Sequence, residues 1–494
     1  MTPGIRRLLV AVATVGVVTV ESVSLSPLST AGAQPQVSRI GLTPCHIDLL
    51  AEQVLCGVHD VFADRERQSG ARVPIHVAVL PALRRRIERD PLFLMAGGPG
   101  QGARGLAPVA ARYFREIRRH RDIVLVDLRG TGASGPLQCG AAGNDDAFLK
   151  EEDAADLARQ CLREIDADPR FYTHQQSLAD LNEIRAALGY DRINLWGGSW
   201  GTRAALLFAL RYPEVTRTVI LDGAVALAMG FPRTAAADAQ AALVRLIDRC
   251  RDDARCRTTF PDPRAEIDRF FQRFSGGKAA VTIRHPRTHA PASGTLSRGV
   301  AADILRGALY TPRDAAAVLY LIRQAADGDF APLLAQLVRT ASVTTDDMAL
   351  GATMAVLCSE DVPSVAAIDF AAEAAGSVFG TTYADVWRAR CVAWRAGPPL
   401  PESAAITSEV PALILSGGAD PVTPPRAGEL MTRHFTRHRH VVVPNAAHNA
   451  SFSGCVPALI AKFLADGHGD GLDVACTSRV AWPAFVENTA GAQP

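Results

Sequence analysis

The sequence predicts an α/β protein, with a mostly parallel sheet flanked by helices and a large, mostly helical cap insertion. Short apolar runs typical of buried strands alternate with helix-forming stretches in residues 34–225 and again in residues 405–494. Residues 226–404 are instead rich in alanine and arginine at helical spacing, with few strand-like runs. Because sheet-type sequence resumes afterwards, we interpret residues 226–404 as a cap over the edge of one sheet rather than as an independent domain.

The composition sets broad limits on size and partners. At 494 residues the chain is longer than one hydrophobic core usually accommodates, so we expect two domains or one domain with a large insertion. The chain has 52 basic and 51 acidic residues, and its net charge of +1 gives no electrostatic reason to expect nucleic acid as a partner.

The first 33 residues resemble a secretory signal peptide. Arg6 and Arg7 form a charged start, Leu8–Val20 is apolar, and Ala31–Ala33 supplies the small residues of a cleavage site. We therefore expect cleavage near Ala33 and a secreted or periplasmic protein. The apolar run is short for a bilayer span and Glu21 interrupts it, so no stable membrane anchor is expected.

The ten cysteines are an even number that suits an oxidising compartment. None lies in a Cys-x-x-Cys zinc pattern. The sequence does not fix their connectivity, since ten cysteines allow about a thousand pairings. We expect sequential neighbours to pair and to restrict the unfolded chain. The expected pairs are Cys45 with Cys56, Cys139 with Cys161, Cys250 with Cys256, Cys358 with Cys391, and Cys455 with Cys476.

Three strands and a glycine loop are predicted early in the chain. Val73–Leu80 alternates as a strand does, and Pro91–Met95 is a short apolar strand that leads into the loop Ala96–Gly102. A glycine loop after a strand can hold an anion with its backbone N–H groups. The next predicted strand, Asp122–Val126, ends at Asp127.

The same loop permits a dinucleotide site as an alternative. Gly100, Gly102 and Gly105 fit the G-x-G-x-x-G pattern, and Asp127 follows the next strand. Pro99 within the loop and a second glycine turn after Asp127 argue against this alternative. Export argues against it too, because an exported protein meets little free nicotinamide cofactor.

A helix is predicted just before the central strand of the sheet. It spans Ser177–Leu188, with Asp180 placed to complete a capping box and Gly189 placed to end the helix. The strand that follows leads into the most informative turn of the chain.

Ser199 lies on a predicted turn between a strand and a helix. Ile193–Trp196 is a short apolar strand, and Thr202–Arg211 is a helical run. A serine in so tight a turn has a strained backbone, and the residues two positions away must be small so that strand and helix can approach. Gly197 and Gly201 meet this requirement. The pattern is that of a nucleophile elbow, which exposes the serine hydroxyl at a helix N-terminus.

An aspartate and a histidine follow strands in the resumed sheet. Asp420 lies on the loop beyond the predicted strand Pro411–Leu415, and His448 follows the predicted strand His440–Val443. The chain order serine, aspartate, histidine is that of the α/β-hydrolase triad. In such a triad Asp420 orients His448, and His448 takes the proton from Ser199.

A second acid is placed in the same way. Asp222 follows the predicted strand Thr218–Leu221 and is a fallback partner for the histidine. Within the helical region, the run Ala279–Ile283 is the exception that resembles a strand.

With these residues the chain resembles the proline iminopeptidase and tripeptidyl aminopeptidase group of secreted serine peptidases, within the α/β-hydrolases. The resemblance covers most of the mature chain, and the paired cysteines support the secreted branch. It rests on Gly97–Gly100, Asp127–Gly132, Gly197–Thr202, Asp420 and His448.

The resemblance implies an enzyme that releases residues or short peptides from free peptide N-termini through an acyl-enzyme at Ser199. It implies an oxyanion hole made by the backbone N–H groups of Gly98 and Trp200, one from the glycine loop and one after the nucleophile. It also implies a peptide or small acyl substrate and no metal or organic cofactor. Asp127 and Arg129 are expected to order the loop beneath the site.

Three positions depart from the pattern of the group. Ala96 stands where many relatives have histidine, Trp200 where the tripeptidyl branch often has tyrosine, and Asn449 where a glycine commonly follows the histidine. Each borders the expected pocket, so the substrate preference of the group does not transfer.

An exopeptidase of this kind must recognise a cationic α-amino group, for which a buried carboxylate is the natural partner. Glu360 and Asp361 are our candidates, because a disulfide between Cys358 and Cys391 would hold them where the cap returns to the sheet. A solvated acidic turn is the alternative.

Two other functions remain open. A carboxylesterase or lipase uses the same three residues, because the fold does not distinguish ester from amide substrates. A hydrolase-like binding protein without catalysis is the non-enzymatic alternative. A serine-directed fluorophosphonate would label either enzyme, whereas we expect no labelling of the binding protein.

Overall fold

The computed structural model describes residues 39–139, 153–284, 289–337, 348–400 and 406–492. The signal peptide predicted over residues 1–33 lies outside the described residues. Among the helices that are described, none has the length and apolar character needed to cross a membrane.

A nine-stranded sheet forms the centre of the protein, and two short ribbons accompany it. The strands of the described residues are β1 (Thr43–Cys45), β2 (Val54–Phe62), β3 (Arg72–Leu80), β4 (Leu92–Met95), β5 (Ile123–Val126), β6 (Ile193–Gly198), β7 (Thr216–Asp222), β8 (Ala279–Arg284), β9 (Pro291–Leu296), β10 (Ala412–Gly417), β11 (His438–Val443), β12 (Val486–Asn488) and β13 (Gly491–Ala492). In space the large sheet runs β1-β2-β3-β5-β4-β6-β7-β10-β11, and β8-β9 and β12-β13 are the ribbons.

Most of the large sheet is parallel. The strands from β5 through β4, β6, β7, β10 and β11 pair in parallel, whereas β1, β2 and β3 add an antiparallel edge. β4, β5, β6 and β10 are buried at every position, because helices cover both faces of the sheet. Such strands are continuous apolar runs in the sequence, which is why an α/β fold was predictable. The prediction is confirmed.

The helices fall into two sets, one beside the sheet and one between β7 and β10. In chain order, the α-helices that lie wholly within the described residues are α1 (Ala107–Tyr113), α2 (Arg115–Arg118), α3 (Ala154–Glu164), α4 (His174–Ala187), α5 (Gly201–Arg211), α6 (Ala235–Asp252), α7 (Ala254–Thr259), α8 (Pro263–Gln272), α9 (Arg298–Ala308), α10 (Pro312–Ala315), α11 (Val318–Ala326), α12 (Leu350–Glu360), α13 (Phe370–Glu373), α14 (Thr382–Ala393), α15 (Pro425–Thr432) and α16 (Val456–Asp466).

The helical region between β7 and β10 has an outer and an inner part. In the outer part, an apolar cluster joins α6, α8, α9 and α11 to the β8-β9 ribbon. Phe270 of α8 and Leu305 of α9 belong to this cluster. In the inner part, α12 and α14 pack on the sheet, since Met354 and Trp387 belong to the same cluster as Leu195 of β6. The inner part therefore links the helical region to the strands that carry the candidate site.

The five expected disulfides are present. They join Cys45 to Cys56, Cys139 to Cys161, Cys250 to Cys256, Cys358 to Cys391, and Cys455 to Cys476. The nearest-neighbour pairing predicted from the sequence is therefore confirmed.

The predicted capping box of α4 is wrong. The helix begins at His174, three residues earlier than expected, and the Ser177 hydroxyl donates to the Thr173 carbonyl. Asp180 is buried and accepts hydrogen bonds from Arg129, with 2.6 and 2.8 Å between the atoms. A buried guanidinium needs a carboxylate partner, and this tertiary ion pair takes the side chain that a local cap would have used. The predicted end is right, since Gly189 has a φ of 81°.

Candidate active site

Ser199 occupies a strained turn between β6 and α5. Its φ is 54°, in the left-handed region that a residue with a side chain avoids at a cost of roughly 1–3 kcal/mol. Its N–H donates to the Asp222 carbonyl, with 2.8 Å between the atoms, and its own carbonyl accepts from Thr202 at 2.9 Å. These backbone bonds hold the turn in the conformation expected from the sequence.

Two glycines make this turn possible. A Cβ atom added to Gly197 would lie 2.4 Å from the Gly201 carbonyl oxygen. One added to Gly201 would lie 2.2 Å from the Met95 carbonyl oxygen. Neither position has room for a side chain, because the neighbouring backbone approaches too closely. The requirement for small residues around Ser199 is confirmed.

Asp420 and His448 form a hydrogen-bonded pair at the carboxyl edge of the sheet. The Asp420 Oδ2 and His448 Nδ1 atoms are 2.9 Å apart. The two residues lie on the loops after β10 and β11, which run side by side because Gly417 pairs with Val443. An ionised carboxylate only accepts hydrogen bonds, so Nδ1 carries the proton and Nε2 of the neutral ring is an acceptor.

The Asp420 carboxylate is fully engaged by its surroundings. One oxygen accepts the N–H groups of Val422 and Thr423 at 2.8 and 2.9 Å, and the other accepts the Thr423 hydroxyl at 2.7 Å. Burial alone raises the pKa of Asp420, but His448 and these hydrogen bonds outweigh burial and lower the pKa. Burial alone lowers the pKa of His448, but the Asp420 charge and hydrogen bond outweigh it and raise the pKa.

Asp222, the second candidate for the acid, does not bond to His448 among the described residues. Its carboxylate oxygens accept the N–H groups of Ala450 and Ser451, at 2.7 and 2.8 Å. Asp420 is therefore the acid that the structure pairs with the histidine.

Ser199 and His448 lie on either side of the end of β7. Asp222, the last residue of β7, accepts the Ser199 N–H. A Cβ atom added to the next residue, Gly223, would lie 3.3 Å from His448 Cε1. Within the described residues no hydrogen bond joins the Ser199 hydroxyl to His448, and bonds of this kind are often long before substrate binds.

The glycine loop after β4 lies against the serine. A Cβ atom added to Gly97 would lie 3.1 Å from Ser199 Cβ, and Gly98 has a φ of 111°. Within the described part of the chain, neither the Gly98 N–H nor the Trp200 N–H donates a hydrogen bond. Free backbone donors on both sides of a serine suit a developing oxyanion.

The helical region supports this loop directly. The Thr353 hydroxyl of α12 donates to the Pro99 carbonyl, and the Ala349 N–H donates to the Gly100 carbonyl at 3.0 Å. The position of Gly98 therefore depends on α12 as well as on the sheet.

The dinucleotide alternative does not fit the loop. The Asp127 carboxylate is buried and accepts the N–H groups of Arg104 and Ala133, at 2.8 and 3.0 Å. It is therefore not available to a ribose. Asp127 instead orders the loop beneath the site, and Arg129 does the same by donating to the carbonyl groups of Ala63 and Phe171.

Glu360 and Asp361 do not face a binding site. Glu360 is bonded to the ring and the backbone N–H of His174, and its side chain is 1% exposed. Asp361 is paired with Arg203, and its side chain is 2% exposed. The expectation that they receive an α-amino group is corrected, because protein partners already occupy both carboxylates. The alternative of a solvated turn is wrong as well.

Two residues near the histidine were missed in the sequence. Thr423 holds Asp420 through its hydroxyl and its N–H, and an Asp-x-x-Thr turn is a local signal that could have indicated it. Tyr310, from beyond α9, packs its ring edge-on against His448, with 5.2 Å between centroids. No local pattern marks Tyr310, because its contact joins residues far apart in the chain.

A narrow crevice lies in the helical region. It is lined by the start of α6, by α9 and by the α13–α14 segment, with Asp303 and Tyr383 on its walls. The Tyr383 ring is 5.8 Å from Phe231, and the Phe231 ring is 5.7 Å from Trp200, the residue after the serine. A row of aromatic rings thus connects the crevice to the residue that follows Ser199.

One carboxylate oxygen of Asp303 is hydrogen-bonded and the other is not, among the described residues. Its side chain is 37% exposed, and one oxygen accepts from Arg306 at 3.3 Å. The other oxygen accepts no hydrogen bond from the residues that the structure describes. Burial raises the pKa of Asp303, although the nearby Arg306 lowers it.

Two family models match the chain on the segments that carry these residues. The model described as the alpha/beta hydrolase fold matches residues 90–250, which include Ser199. The model described as TAP-like protein matches residues 376–476, which include Asp420 and His448.

Named relatives match over part of their length. The serine protease Hip1 of Mycobacterium tuberculosis is 28% identical over 39% of this chain and 41% of its own length. A proline iminopeptidase of Xylella fastidiosa is 32% identical over 27% of this chain and 32% of its own. A tripeptidyl aminopeptidase of Streptomyces coelicolor is 26% identical over 36% of each chain. The chain thus spans less than half the length of these relatives.

A parallel sheet with a serine turn after β6 and an acid–histidine pair after β10 and β11 defines an α/β hydrolase. The chain has the α/β-hydrolase fold, and its C-terminal part resembles the TAP-like proteins; the relatives that it resembles are named as aminopeptidases and a serine protease.

Proposed function

We propose that this protein is an exported serine exopeptidase, which releases residues or short peptides from free peptide N-termini. The observation that carries the proposal is the arrangement at one sheet edge. Ser199 stands in a strained turn, the hydrogen-bonded His448 and Asp420 lie beside it, and the N–H groups of Gly98 and Trp200 are free. Such an arrangement suits acyl transfer through a serine.

The reaction follows from these positions. The Ser199 oxygen attacks the carbonyl carbon of the scissile bond, and His448 Nε2 takes the serine proton. Gly98 and Trp200 stabilise the negative oxygen that forms. His448 then gives its proton to the leaving amine, and the carbon–nitrogen bond breaks to leave an acyl-enzyme. His448 then takes a proton from water, which attacks the ester carbon, and gives that proton to the Ser199 oxygen as the ester bond breaks and the acid leaves.

Asp420 supports each proton transfer. It keeps the proton on Nδ1 of His448 and therefore Nε2 directed at the reaction, and its charge stabilises the imidazolium that forms. The pKa of His448 is raised because the Asp420 charge stabilises the imidazolium in the same way.

A free N-terminus requires a carboxylate within reach of the acyl group. With Glu360 and Asp361 occupied, we assign this role to Asp303. It lines the crevice that the rings of Tyr383 and Phe231 connect to the residue that follows Ser199, and one of its oxygens has no protein partner among the described residues. A cationic amine would form a charge-assisted hydrogen bond there.

The helical region and the disulfides fit the same proposal. Residues 226–404 would act as a cap over the carboxyl edge, admitting a peptide by its end rather than along its length. Five disulfides are stable in an oxidising compartment, which supports secretion or a periplasmic location.

The test compares prolyl and tripeptidyl anilides with their N-acetylated counterparts, using the wild-type protein and the Ser199→Ala variant. We expect hydrolysis of the free-amine substrates alone and none by the variant. Faster hydrolysis of blocked substrates or simple esters would instead indicate a carboxylesterase. Retained activity in the Ser199→Ala variant would rule out the serine mechanism.

A further inference from the structure

Asp222 holds both halves of the candidate active site. Its backbone carbonyl accepts the Ser199 N–H at 2.8 Å. Its two carboxylate oxygens accept the N–H groups of Ala450 and Ser451, at 2.7 and 2.8 Å, two and three residues beyond His448. The side chain is buried at the end of β7. One residue thus fixes the serine turn and the histidine loop relative to each other.

The histidine loop needs such an anchor. Asn449, between His448 and Ala450, has a φ of 64°, a conformation that costs free energy for a residue with a side chain. Beyond it, the Trp196 indole N–H donates to the Ser451 hydroxyl at 2.9 Å, which adds a second bond from β6. Because the strained residue follows His448 directly, releasing the two N–H groups would let the histidine move.

We infer that Asp222 is a positioning residue, which in its ionised form locks the His448 loop onto the Ser199 turn and releases it when protonated. The inference rests on the proposed serine peptidase function. It assigns Asp222 no contact with substrate.

The groups around Asp222 define its titration. The histidine loop presents His448, β6 presents the uncharged Gly198–Ser199 backbone, and the facing residue of β10 is Leu415. Burial raises the pKa of Asp222 to about 6, while the Ser451 and Ala450 hydrogen bonds and His448 lower it. The carboxylate is therefore ionised at neutral pH and gains a proton as the pH falls through about 6.

Protonation changes what the side chain can do. A carboxylate accepts at both oxygens, whereas a carboxylic acid turns one oxygen into a donor. One of the two loop N–H groups then loses its acceptor, and a buried N–H without a partner is unfavourable. The loop should loosen, and catalysis should fall for a reason separate from protonation of His448.

The experiment uses Asp222→Asn and, as a matched control, Asp122→Asn. Asp122 accepts the Ala82 N–H and the Tyr190 hydroxyl, both at 2.8 Å, but it lies before β5, at the edge of the sheet opposite to Ser199. For each protein we would measure kcat and KM for a free-amine anilide from pH 4 to 8, and the rate of labelling by a fluorophosphonate.

We expect Asp222→Asn to lower kcat and the labelling rate by about 10- to 100-fold, with KM nearly unchanged, because a small misplacement of reacting groups costs this much. In the wild type, kcat/KM should fall at acidic pH with the binding of two protons, one to His448 and one to Asp222. In Asp222→Asn it should fall with the binding of one proton, to His448. Asp122→Asn should lose thermal stability while keeping the wild-type shape of the pH profile.

Two results would overturn the inference. One is a wild-type kcat/KM that falls at acidic pH with the binding of a single proton. This measurement needs no variant, so it tests the inference even if Asp222→Asn does not fold. The other is an Asp222→Asn variant with the wild-type kcat and labelling rate. If the wild type itself is neither labelled nor active, the proposed function fails, and the inference fails with it.

Discussion

The backbone N–H of His448 donates a hydrogen bond to the Tyr310 carbonyl, with 3.0 Å between nitrogen and oxygen. Tyr310 belongs to the helical region between β7 and β10, so that region is bonded directly to the loop that carries the histidine. With the bond from Thr353 to the Pro99 carbonyl, it supports both the histidine loop and the glycine loop after β4. Substitutions in the helical region that break these bonds should therefore lower kcat.

Ser199 should show a conflict between stability and function. Replacing it with alanine should lower turnover by a factor on the order of 10³ to 10⁶. Replacing it with glycine should abolish activity equally but stabilise the fold by about 1 kcal/mol relative to the alanine variant, because glycine adopts a φ of 54° without strain. Urea unfolding of the two variants measures the difference. Equal stabilities would show that the turn is not strained.

Asp420→Asn should change both the rate and its pH dependence. We expect kcat to fall by about 10⁴-fold, because the amide no longer fixes the tautomer of His448. His448 must be neutral to accept a proton, so activity is lost as the pH falls through its pKa. Asp420 raises that pKa, and removing its charge should move the acid limb to lower pH. Thr423→Val, which keeps the charge, should cause a far smaller loss; an acid limb unmoved in Asp420→Asn would contradict the pairing.

Gly98→Ala should distort the glycine loop after β4, in which we propose the Gly98 N–H as an oxyanion donor. An added Cβ would lie 2.8 Å from Met348 Cε, and the φ of 111° is unfavourable for alanine. We expect kcat to fall by about 10²-fold or more, as when one oxyanion donor is lost. The double variant Gly98→Ala/Met348→Ala relieves the contact but not the backbone strain, so it should recover only part of the rate. Full activity in Gly98→Ala would show that the added methyl group does not displace this N–H.

The Cys358–Cys391 disulfide should affect stability and rate together. It closes a loop with a separation of 33 residues, and its removal should cost about 3 kcal/mol. It also joins α12, which supports Pro99 and Gly100, to α14, so kcat should fall as well. Removing Cys250–Cys256, with a separation of 6 in the outer cluster, should leave kcat unchanged. Thermal unfolding and steady-state kinetics on both variants test this difference.

Asp303→Asn should act on free-amine substrates alone. Loss of a charge-assisted bond to the α-amino group should raise KM for a free-amine anilide by about 10- to 100-fold. Hydrolysis of an ester without an amino group should not change, and Asp268→Asn, an exposed acid on α8, should behave as wild type. An equal effect on both substrate types would show that Asp303 only supports the fold.

Features encoded by neighbours along the chain were predictable from the sequence. The apolar runs indicated the strands, the glycines around Ser199 indicated a strained turn, and nearest-neighbour cysteines proved to pair. Because parallel strands place their carboxyl ends at one edge, residues that follow β6, β10 and β11 had to meet there. The positions of Ser199, Asp420 and His448 followed from that rule.

Partner choice among charged residues required the tertiary structure. Glu360 and Asp361 looked available in the sequence, yet His174 and Arg203, distant in the chain, occupy them. Asp180 likewise pairs with a residue distant in the chain, Arg129, instead of capping its own helix.

The sequence by itself thus determined the fold class, the serine turn and the order of the candidate catalytic groups, since each depends on short-range pattern or on strand polarity. Only the tertiary structure decided which acid pairs with His448, that Asp222 anchors its loop, and that Tyr310 holds it from the helical region. These contacts depend on angstrom-scale distances between residues up to hundreds of positions apart, and no local pattern specifies such distances.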